Sequence, residues 1–239
     1  MIERKNRFLP QEGLKLIACI TMFMDHFGDA IVPELSIPYM RELYYTLRII
    51  GRISFPIYCF LLVEGMTHTR NPYKYILRLG IGIPLAELPF DYLFEGYFTW
   101  EQQNVLVTLT LGAVMLLCMG KTEREWLKVL LVIPFACLAE IWNCDYGGWG
   151  IGIIAVFALL DRPSLQTLGV LLVNWCRNSA PVPVFGMRIP VQLFAVLAMI
   201  PIAGYSGAKL TRSKAVQWGF YLFYPLHMLL LWVILRLIG

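Results

Sequence analysis

The chain has 239 residues, of which 58 % are hydrophobic and only 15 % are charged. Soluble domains average roughly 25 % charged residues, so this composition excludes a soluble globular protein and favours a polytopic membrane protein. The net charge of +4 carries no nucleic-acid signature, because in a membrane protein the positions of Lys and Arg mainly set topology. The six Cys residues lack metal-ligand spacing, and no metal site is predicted.

Apolar runs predict an all-α, polytopic membrane helical bundle of about nine transmembrane helices, forming one domain over residues 1–239. The runs cover residues 14–32, 44–66, 73–94, 104–119, 126–142, 148–160, 165–176, 190–205 and 216–237.

The distribution of cations predicts a cytoplasmic N-terminus in a multi-pass protein of the inner (cytoplasmic) membrane. This topology places the following cations in the cytoplasm: Arg4, Lys5, Arg7, Lys15, Arg70, Lys74, Arg78, Lys121, Arg124, Lys128, Arg162, Lys209, Arg212 and Lys214. Outside lie Arg41, Arg177, Arg188 and Arg236, while Arg48 and Arg52 fall within the second run.

The first apolar run carries three ionisable residues, Asp25, His26 and Asp29. If Lys15 marks the membrane surface, His26 lies roughly 16 Å deep, near the bilayer midplane. Charged groups at that depth are functional candidates by default. Because Asp29 is one turn beyond His26, its carboxylate is predicted to orient the imidazole as a general base. The alternative is a polar contact within the bundle.

The second run is polar at both ends, with Arg48 and Arg52 at its outer end and Glu64 and His68 at its inner end. Arg70, Lys74 and Arg78 follow at spacings of four residues, although Asn71-Pro72 is expected to break the helix between them. These cations suit a phosphate-rich cofactor, or they only determine topology and contact lipid headgroups.

Polar residues also collect in the outer half of several runs. In the third run Glu87 and Asp91 share a helix face, and Pro84 and Pro89 loosen the backbone around them. The members of the predicted outer vestibule are Asp29, Arg48, Arg52, Glu87, Asp91, Asn104, Glu140 and Asp145. Such a vestibule suits a polar, amine-bearing acceptor entering from outside, or its charges pair with one another, for example Arg48 or Arg52 with Glu87 or Asp91.

The second half of the chain contains a glycine-rich segment, two loop prolines and a last apolar run with a histidine. The segment DYGGWG is predicted to be a tight turn with close helix approach, and Pro181 and Pro183 are predicted to lie in a loop. The last run brings Tyr224 and His227 inward, and His227 lies roughly 16 Å beyond Val216. It is a candidate substrate contact or a hydrogen-bonded residue of the bundle.

Six segments together resemble the TraX family, which is named for a protein associated with N-terminal acetylation of conjugative pilin. In chain order they are LKLIACITMFMDH, GRISFPIYCFLLVEGMTHTRNPYKYILRL, ELPFDY, QNVLVTLTLG, DYGGWGIGII and FYLFYPLH. That family is distantly similar to the integral membrane acyltransferase-3 group, which acylates extracytoplasmic acceptors from cytoplasmic acyl-CoA. In that group an Arg precedes the first-span catalytic His by eleven positions, and here Lys15 precedes His26 by eleven.

The resemblance implies transfer of acetyl from cytoplasmic acetyl-CoA to an extracytoplasmic amine or hydroxyl, such as a peptide N-terminus or a sugar. We assign Asp25, His26, Asp29 and Arg52 to catalysis, with Arg52, Tyr224 or His227 as donor to the oxyanion. Glu64, His68, Arg70, Lys74 and Arg78 are assigned to acetyl-CoA, and Arg48, Glu87, Asp91, Tyr224 and His227 to the acceptor.

Two alternatives remain open at this point. Transfer through an acetylated His26 is as compatible with these residues as direct transfer. A proton-coupled transporter would use the same buried Asp, Glu and His residues as a proton relay.

Overall fold

The nine apolar runs correspond to helical segments in the computed structural model, which describes residues 7–177, 179–184, 186–211 and 213–238. Arg4, Lys5 and Arg212, which entered the topology prediction, lie outside the described residues. The α-helices of this described part are α1 Gln11–Ala30, α2 Met40–Gly51, α3 Ser54–His68, α4 Pro72–Phe94, α5 Val105–Met119, α6 Glu125–Ile141, α7 Gly147–Leu159, α8 Pro163–Cys176, α9 Met199–Ala203 and α10 Lys214–Ile238. Short 3₁₀ helices at Val32–Glu34 and Val191–Ala198 extend α1 and precede α9.

The second run, predicted as one helix, is divided into α2 and α3 around Arg52 and Ile53. Pro56 explains the division, because it has no N–H to donate to the carbonyl of Arg52 and its ring would clash with that carbonyl in a continuous helix. Proline is tolerated in the first turn of a new helix, and Pro56 is the third residue of α3.

The expected break after the second run is confirmed. Helix α3 ends at His68, and α4 begins at Pro72 with Asn71 as its N-cap. The Asn71 side chain accepts a hydrogen bond of 3.0 Å from the backbone N–H of Lys74, which satisfies one of the donors left open at a helix start. Arg70 therefore lies between two helices and does not share a helix face with Lys74.

The chain divides into two compact units, which are described separately. The terminal unit comprises Met1–Tyr58 and Asn174–Gly239, and in it α1 packs against α2 and α10. The central unit comprises Cys59–Val173, and in it α5 packs against α4, α6 and α7. The prediction of one domain over residues 1–239 stays a prediction.

The DYGGWG segment begins with a turn at Asp145 and Tyr146 and continues as the first residues of α7, so the predicted turn is confirmed for those two residues only. Tyr146 and Gly147 both have positive φ, 65° and 49°, which glycine adopts without strain. A Cβ on Gly148 would lie 3.2 Å from the side chain and backbone of Ala136, so the glycine also permits close approach of the two helices.

The prediction that Pro181 and Pro183 lie in a loop is wrong. They belong to β1, Pro181–Val184, which pairs antiparallel with β2, Met187–Pro190. Both strands of a two-stranded sheet are edge strands, so the missing proline N–H groups remove no hydrogen bond on the open side.

The distribution of side chains identifies a membrane protein. Large apolar residues at helical spacing on α4 are exposed, namely Leu77, Ile81, Leu85 and Leu88, whereas Asp25, Arg52, Glu87, Asp91 and His227 are buried. Exposed apolar helix faces around a polar interior are expected when lipid surrounds the bundle. Three helical stretches of the described chain are long and apolar enough to cross a membrane: Gln11–Glu34, Met40–His68 and Lys214–Ile238. The number of spans and the orientation of the N-terminus stay predictions.

Candidate functional site

Two histidines from distant parts of the sequence meet in the terminal unit. His26 on α1 and His227 on α10 form a hydrogen bond of 2.7 Å between Nδ1 of His26 and Nε2 of His227. Their ring planes differ by only 6°, with centroids 5.0 Å apart. His227 is buried at 4 % exposure. We call His26 and His227 the histidine pair.

The protonation of the histidine pair follows from a third contact. Nδ1 of His227 lies 2.8 Å from the carbonyl oxygen of Phe223. A carbonyl only accepts, so Nδ1 of His227 carries the hydrogen. In a neutral imidazole Nε2 of His227 is then the acceptor, and Nδ1 of His26 must donate to it. Nε2 of His26 is therefore left without a hydrogen, in the form a general base requires.

A second set of side chains in the terminal unit, which we call the ion-pair cluster, comprises Asp25, Asp29, Arg48 and Arg52. Nη1 of Arg48 is 3.1 Å from Oδ1 of Asp25 and 3.0 Å from Oδ2 of Asp29. Nη2 of Arg52 pairs with Oδ2 of Asp25. The two aspartates and two arginines balance in charge, which allows Asp25 and Arg52 to be buried at 7 % and 6 % exposure.

Two glycines allow α1 and α2 to approach closely enough for these ion pairs. A Cβ on Gly51 would overlap the side chain of Asp25, and one on Gly28 would lie 2.9 Å from Cβ of Leu47. The sequence analysis did not single out Gly28 or Gly51, because a glycine within an apolar run shows its role only when the facing helix is known.

The structure changes the predicted partner of His26. Asp29 was expected to orient the imidazole, but the contact to Nδ1 comes from His227 and the carboxylate of Asp29 pairs with Arg48. Asp29 is three residues from His26, so its side chain is rotated by about 60° around α1 from that of His26, and it pairs with Arg48 of α2. Phe223, which holds the tautomer of His227, was also missed, although its position four residues earlier on the same helix is a usable signal.

Tyr224 and Arg52 also lie near the pair or its cluster. The ring centroid of Tyr224 is 6.4 Å from that of His26 and 5.7 Å from that of His227, and Tyr224 is buried. Arg52 directs Nε at the carbonyl of Arg48, 3.3 Å away, in addition to its pair with Asp25. The terminal unit thus brings together the three candidates on α1, Arg48 on α2 and Arg52 directly after α2 with the two candidates on α10.

The predicted cofactor residues all lie in the central unit, where α3 ends and α4 begins. We call this set the polar corner: Glu64, His68, Arg70, Lys74 and Arg78. His68 is 3.7 Å from the Glu64 carboxylate, and Arg78 lies over the ring of Tyr75 with 5.6 Å to its centroid. The side chains of His68, Arg70, Lys74 and Arg78 are exposed, so their cations are accessible to a ligand in water.

The remaining acceptor candidates, Glu87 and Asp91, are buried in the central unit at 4 % and 0 % exposure. Oε2 of Glu87 accepts from the side chain of Asn104, and Oδ2 of Asp91 accepts from the backbone N–H of Thr99 at 3.1 Å. Oε1 of Glu87 and Oδ1 of Asp91 have no hydrogen-bond partner among the described residues. Both arginines form ion pairs with Asp25, and Arg48 also with Asp29; the alternative pairing with Glu87 or Asp91 stays a prediction.

Comparisons with known proteins cover almost the whole chain. The family described as TraX protein matches residues 10–235. The probable fimbrial assembly protein FimC, serogroup H1, of Dichelobacter nodosus is 30 % identical over 236 residues, which cover 91 % of this chain and 92 % of that protein. An uncharacterized protein of Rickettsia prowazekii (strain Madrid E) is 32 % identical over 112 residues, 47 % of this chain and 38 % of that protein. No solved structure matches the chain significantly.

The family match spans the histidine pair, the ion-pair cluster and the polar corner. It agrees with the resemblance of the six sequence segments, and the relative from Dichelobacter nodosus extends over nearly the same length. The chain therefore belongs to the TraX protein family.

Proposed function

We propose that this protein is an integral membrane acetyltransferase that moves an acetyl group from cytoplasmic acetyl-CoA to an amine or hydroxyl acceptor entering from the extracytoplasmic side, with His26 as general base. The observation that carries the proposal is the histidine pair and its tautomer. A neutral imidazole with Nε2 unprotonated, within a helix long and apolar enough to cross a membrane, is more than helix packing requires.

The chemistry of the pair follows from its hydrogen bonds. The acceptor N–H or O–H gives its proton to Nε2 of His26 while the acceptor atom bonds to the thioester carbonyl carbon. The resulting imidazolium is stabilised because Nδ1–H of His26 donates to Nε2 of His227. The C–S bond then breaks, and the leaving thiolate takes the proton from His26.

The developing oxyanion needs a hydrogen-bond donor, and the candidates are Arg52, Tyr224 and His227. The hydrogen bonds of His227 and Arg52 show how their donors are used. In the tautomer above, Nδ1–H of His227 is committed to the Phe223 carbonyl and Nε2 is an acceptor. Arg52 directs its donors at Asp25 and at the Arg48 carbonyl. We favour the hydroxyl of Tyr224 because its ring lies beside both histidines.

The cofactor assignment rests on charge and exposure at the polar corner. Arg70, Lys74 and Arg78 present exposed cations to the polyanionic end of acetyl-CoA, and His68 stands at the preceding helix end. Charge-assisted hydrogen bonds to phosphate are among the stronger contacts available to exposed side chains. Glu64 is proposed to hold His68 through their contact.

The acceptor assignment rests on buried charge. The open carboxylate oxygens of Glu87 and Asp91 suit an ammonium or hydroxyl donor, and Arg48 suits a carboxylate. A peptide N-terminus, a sugar or another small polar molecule has this chemistry. The name of the relative from Dichelobacter nodosus, a fimbrial assembly protein, is consistent with a pilin-like peptide acceptor.

The rival function is proton-coupled transport. The buried carboxylates of Glu87 and Asp91, each with an oxygen lacking a partner among the described residues, favour it because ionisable residues inside a bundle are typical of proton relays. Transport consumes no thioester, so only the acetyltransferase releases free thiol from acetyl-CoA.

The experiment follows free thiol after purified protein is mixed with acetyl-CoA and candidate acceptors. We expect acceptor-dependent thiol release that falls by at least about 100-fold in His26→Ala. Thr21→Ala is the control on the same helix, because Thr21 is buried on α1 and its hydroxyl donates to the carbonyls of Ile17 and Ala18 of that helix. Proton flux into liposomes without thiol release would establish the rival instead.

A further inference from the structure

The N-terminal halves of α1 and α10 border an open apolar groove of about 380 Å³. Each helix lines it with residues spaced i, i+3, i+4 and i+7. On α1 these are Leu16, Cys19, Ile20 and Phe23, and on α10 they are Val216, Gly219, Phe220 and Phe223. Faces with this spacing ordinarily interdigitate when two helices pack. Here they leave open space, since a Cβ on Gly219 would meet no atom within 4 Å.

The groove leads to the histidine pair. His26 follows Phe23 by three residues and His227 follows Phe223 by four, so both histidines continue the two lining faces by one turn. The ring of Phe223 stacks on that of His227 at 4.7 Å between centroids, and the ring of Phe23 is 6.4 Å from it. At the opposite end, Nζ of Lys15 lies 5.4 Å from the centroid of the Phe220 ring.

The side chains that line the groove indicate which kind of molecule it can bind. None of the eight lining side chains carries a nitrogen or oxygen, and the thiol of Cys19 is paired with the hydroxyl of Tyr58 at 3.2 Å. The pantetheine arm of CoA contains two amides, and burying amides without hydrogen bonds is unfavourable. A two-carbon acetyl group would leave most of the groove empty. A hydrocarbon chain suits both its lining and its size.

We propose that this groove binds the acyl chain of the thioester donor, so that the enzyme transfers acyl groups longer than acetyl. The inference rests on the proposed function and changes only the donor class. The thioester carbonyl lies at the histidine pair and the chain extends toward Lys15. Transfer still breaks the C–S bond and forms the acyl C–N or C–O bond, with the acceptor proton passing through His26 to the thiolate.

The length of the groove sets the preferred chain. Leu16 and Phe23 are seven residues apart, which is about 10 Å along a helix at about 1.5 Å per residue. An extended chain covers about 1.2 Å per bond, so about eight carbons fill this length. Octanoyl thioesters should therefore be better donors than acetyl thioesters.

The test compares acetyl-, butyryl-, octanoyl- and palmitoyl-CoA in the wild type, Gly219→Leu and Gly80→Leu. We expect octanoyl-CoA to have a KM at least about tenfold below that of acetyl-CoA in the wild type, because each buried methylene favours binding. Gly219→Leu fills the groove and should lower the octanoyl-to-acetyl ratio of kcat/KM by at least about tenfold. Gly80 on α4 also has open space at its Cβ position, so Gly80→Leu controls for the substitution and for partition of long chains into detergent.

Each outcome separates the two proposals. A wild type that uses only acetyl-CoA, or a Gly219→Leu variant whose ratio matches that of Gly80→Leu, overturns the groove assignment while leaving acetyl transfer intact. Loss of all thioester consumption in the wild type overturns the proposed function, and the groove assignment then depends on crosslinking. In that measurement a photoreactive octanoyl-CoA should attach to the lining faces of α1 and α10 in Gly80→Leu but not in Gly219→Leu; equal attachment in both would contradict it.

Discussion

At the scale of single residues, the histidine pair shows what spacing along one helix can and cannot predict. His26 was identified from its depth in an apolar run, because an ionisable side chain there is energetically costly and is therefore a functional candidate. His227 was found from its depth in the same way, but its hydrogen bond with His26 could not be predicted, because the two residues are 201 positions apart in sequence. Asp29 was the nearest carboxylate on the same face, and Arg48 of α2, whose position but not orientation the sequence gives, pairs with it instead.

The two aspartates of the ion-pair cluster should differ in their effect on stability. Asp25 is buried and pairs with Arg48 and Arg52, whereas the side chain of Asp29 is 36 % exposed and pairs with Arg48. Removing one member of a buried ion pair leaves an uncompensated charge, which typically costs about 3–5 kcal/mol. We expect Asp25→Asn to lower the thermal midpoint in detergent clearly more than Asp29→Asn. The reverse order would mean that the contact of Asp29 with Arg48 stabilises the cluster more than the contacts of Asp25.

At the scale of helices, the boundaries followed from the sequence wherever a local signal was present. Asn71-Pro72 predicted the break before α4, and the glycines of DYGGWG predicted the turn before α7. The division of the second run was missed even though Pro56 signals it, because its apolar pattern continues through Arg52 and Ile53. The closeness of α1 and α2 could not be predicted, since it depends on which residue faces Gly51.

Gly51 is expected to control the geometry of the ion-pair cluster. Gly51→Ala places a methyl group where the side chain of Asp25 lies, so the helices must separate or Asp25 must leave its arginines. We predict a lower thermal midpoint and reduced transferase activity. Gly80→Ala is the matched control, because its methyl group enters open space in α4 and alanine favours the helix by about 1 kcal/mol. Equal behaviour of the two variants would show that α1 and α2 are not in close contact.

The polar corner should control the affinity for acyl-CoA. We expect Arg70→Glu and Lys74→Glu each to raise the KM for acetyl-CoA by about tenfold or more with little change in kcat, since charge-assisted hydrogen bonds contribute about 1.5–3 kcal/mol. Lys121→Glu provides a charge reversal at an exposed residue beyond the end of α5 that is not assigned to the cofactor. If all three variants keep the wild-type KM, the cations of the corner serve topology and lipid contact only.

At the scale of the whole molecule, composition and hydropathy predicted a helical membrane protein, and the exposed leucines of α4 with the buried charges of α1 and α4 agree with that prediction. The positions of the nine runs matched helical segments because long apolar stretches have few alternatives in lipid. Hydropathy does not report which helices touch, and the assembly of a site from α1, α2 and α10 therefore required the structure.

The predicted topology is tested by labelling single cysteines in a background without the six native ones. Glu95→Cys follows α4 and Lys121→Cys follows α5, and both positions are exposed, whereas Asp91 is fully buried and unsuitable. With the N-terminus in the cytoplasm, a membrane-impermeant thiol reagent outside intact cells should label Glu95→Cys and reach Lys121→Cys only after permeabilisation. The opposite pattern would reverse the topology and the side from which the acceptor enters.

The central claim, that His26 and His227 act together in acyl transfer, is tested most directly by a double-mutant cycle. Transfer of isotope-labelled acetyl to the acceptor would be measured for His26→Ala, His227→Ala and the double variant, with His227→Gln as the conservative change that can still accept from His26 and donate to Phe223. Groups that act as a unit are non-additive. We predict that the double variant is no slower than His26→Ala and that His227→Gln restores part of the loss of His227→Ala. Near-normal transfer by His26→Ala, or losses that add fully in the double variant, would contradict the account.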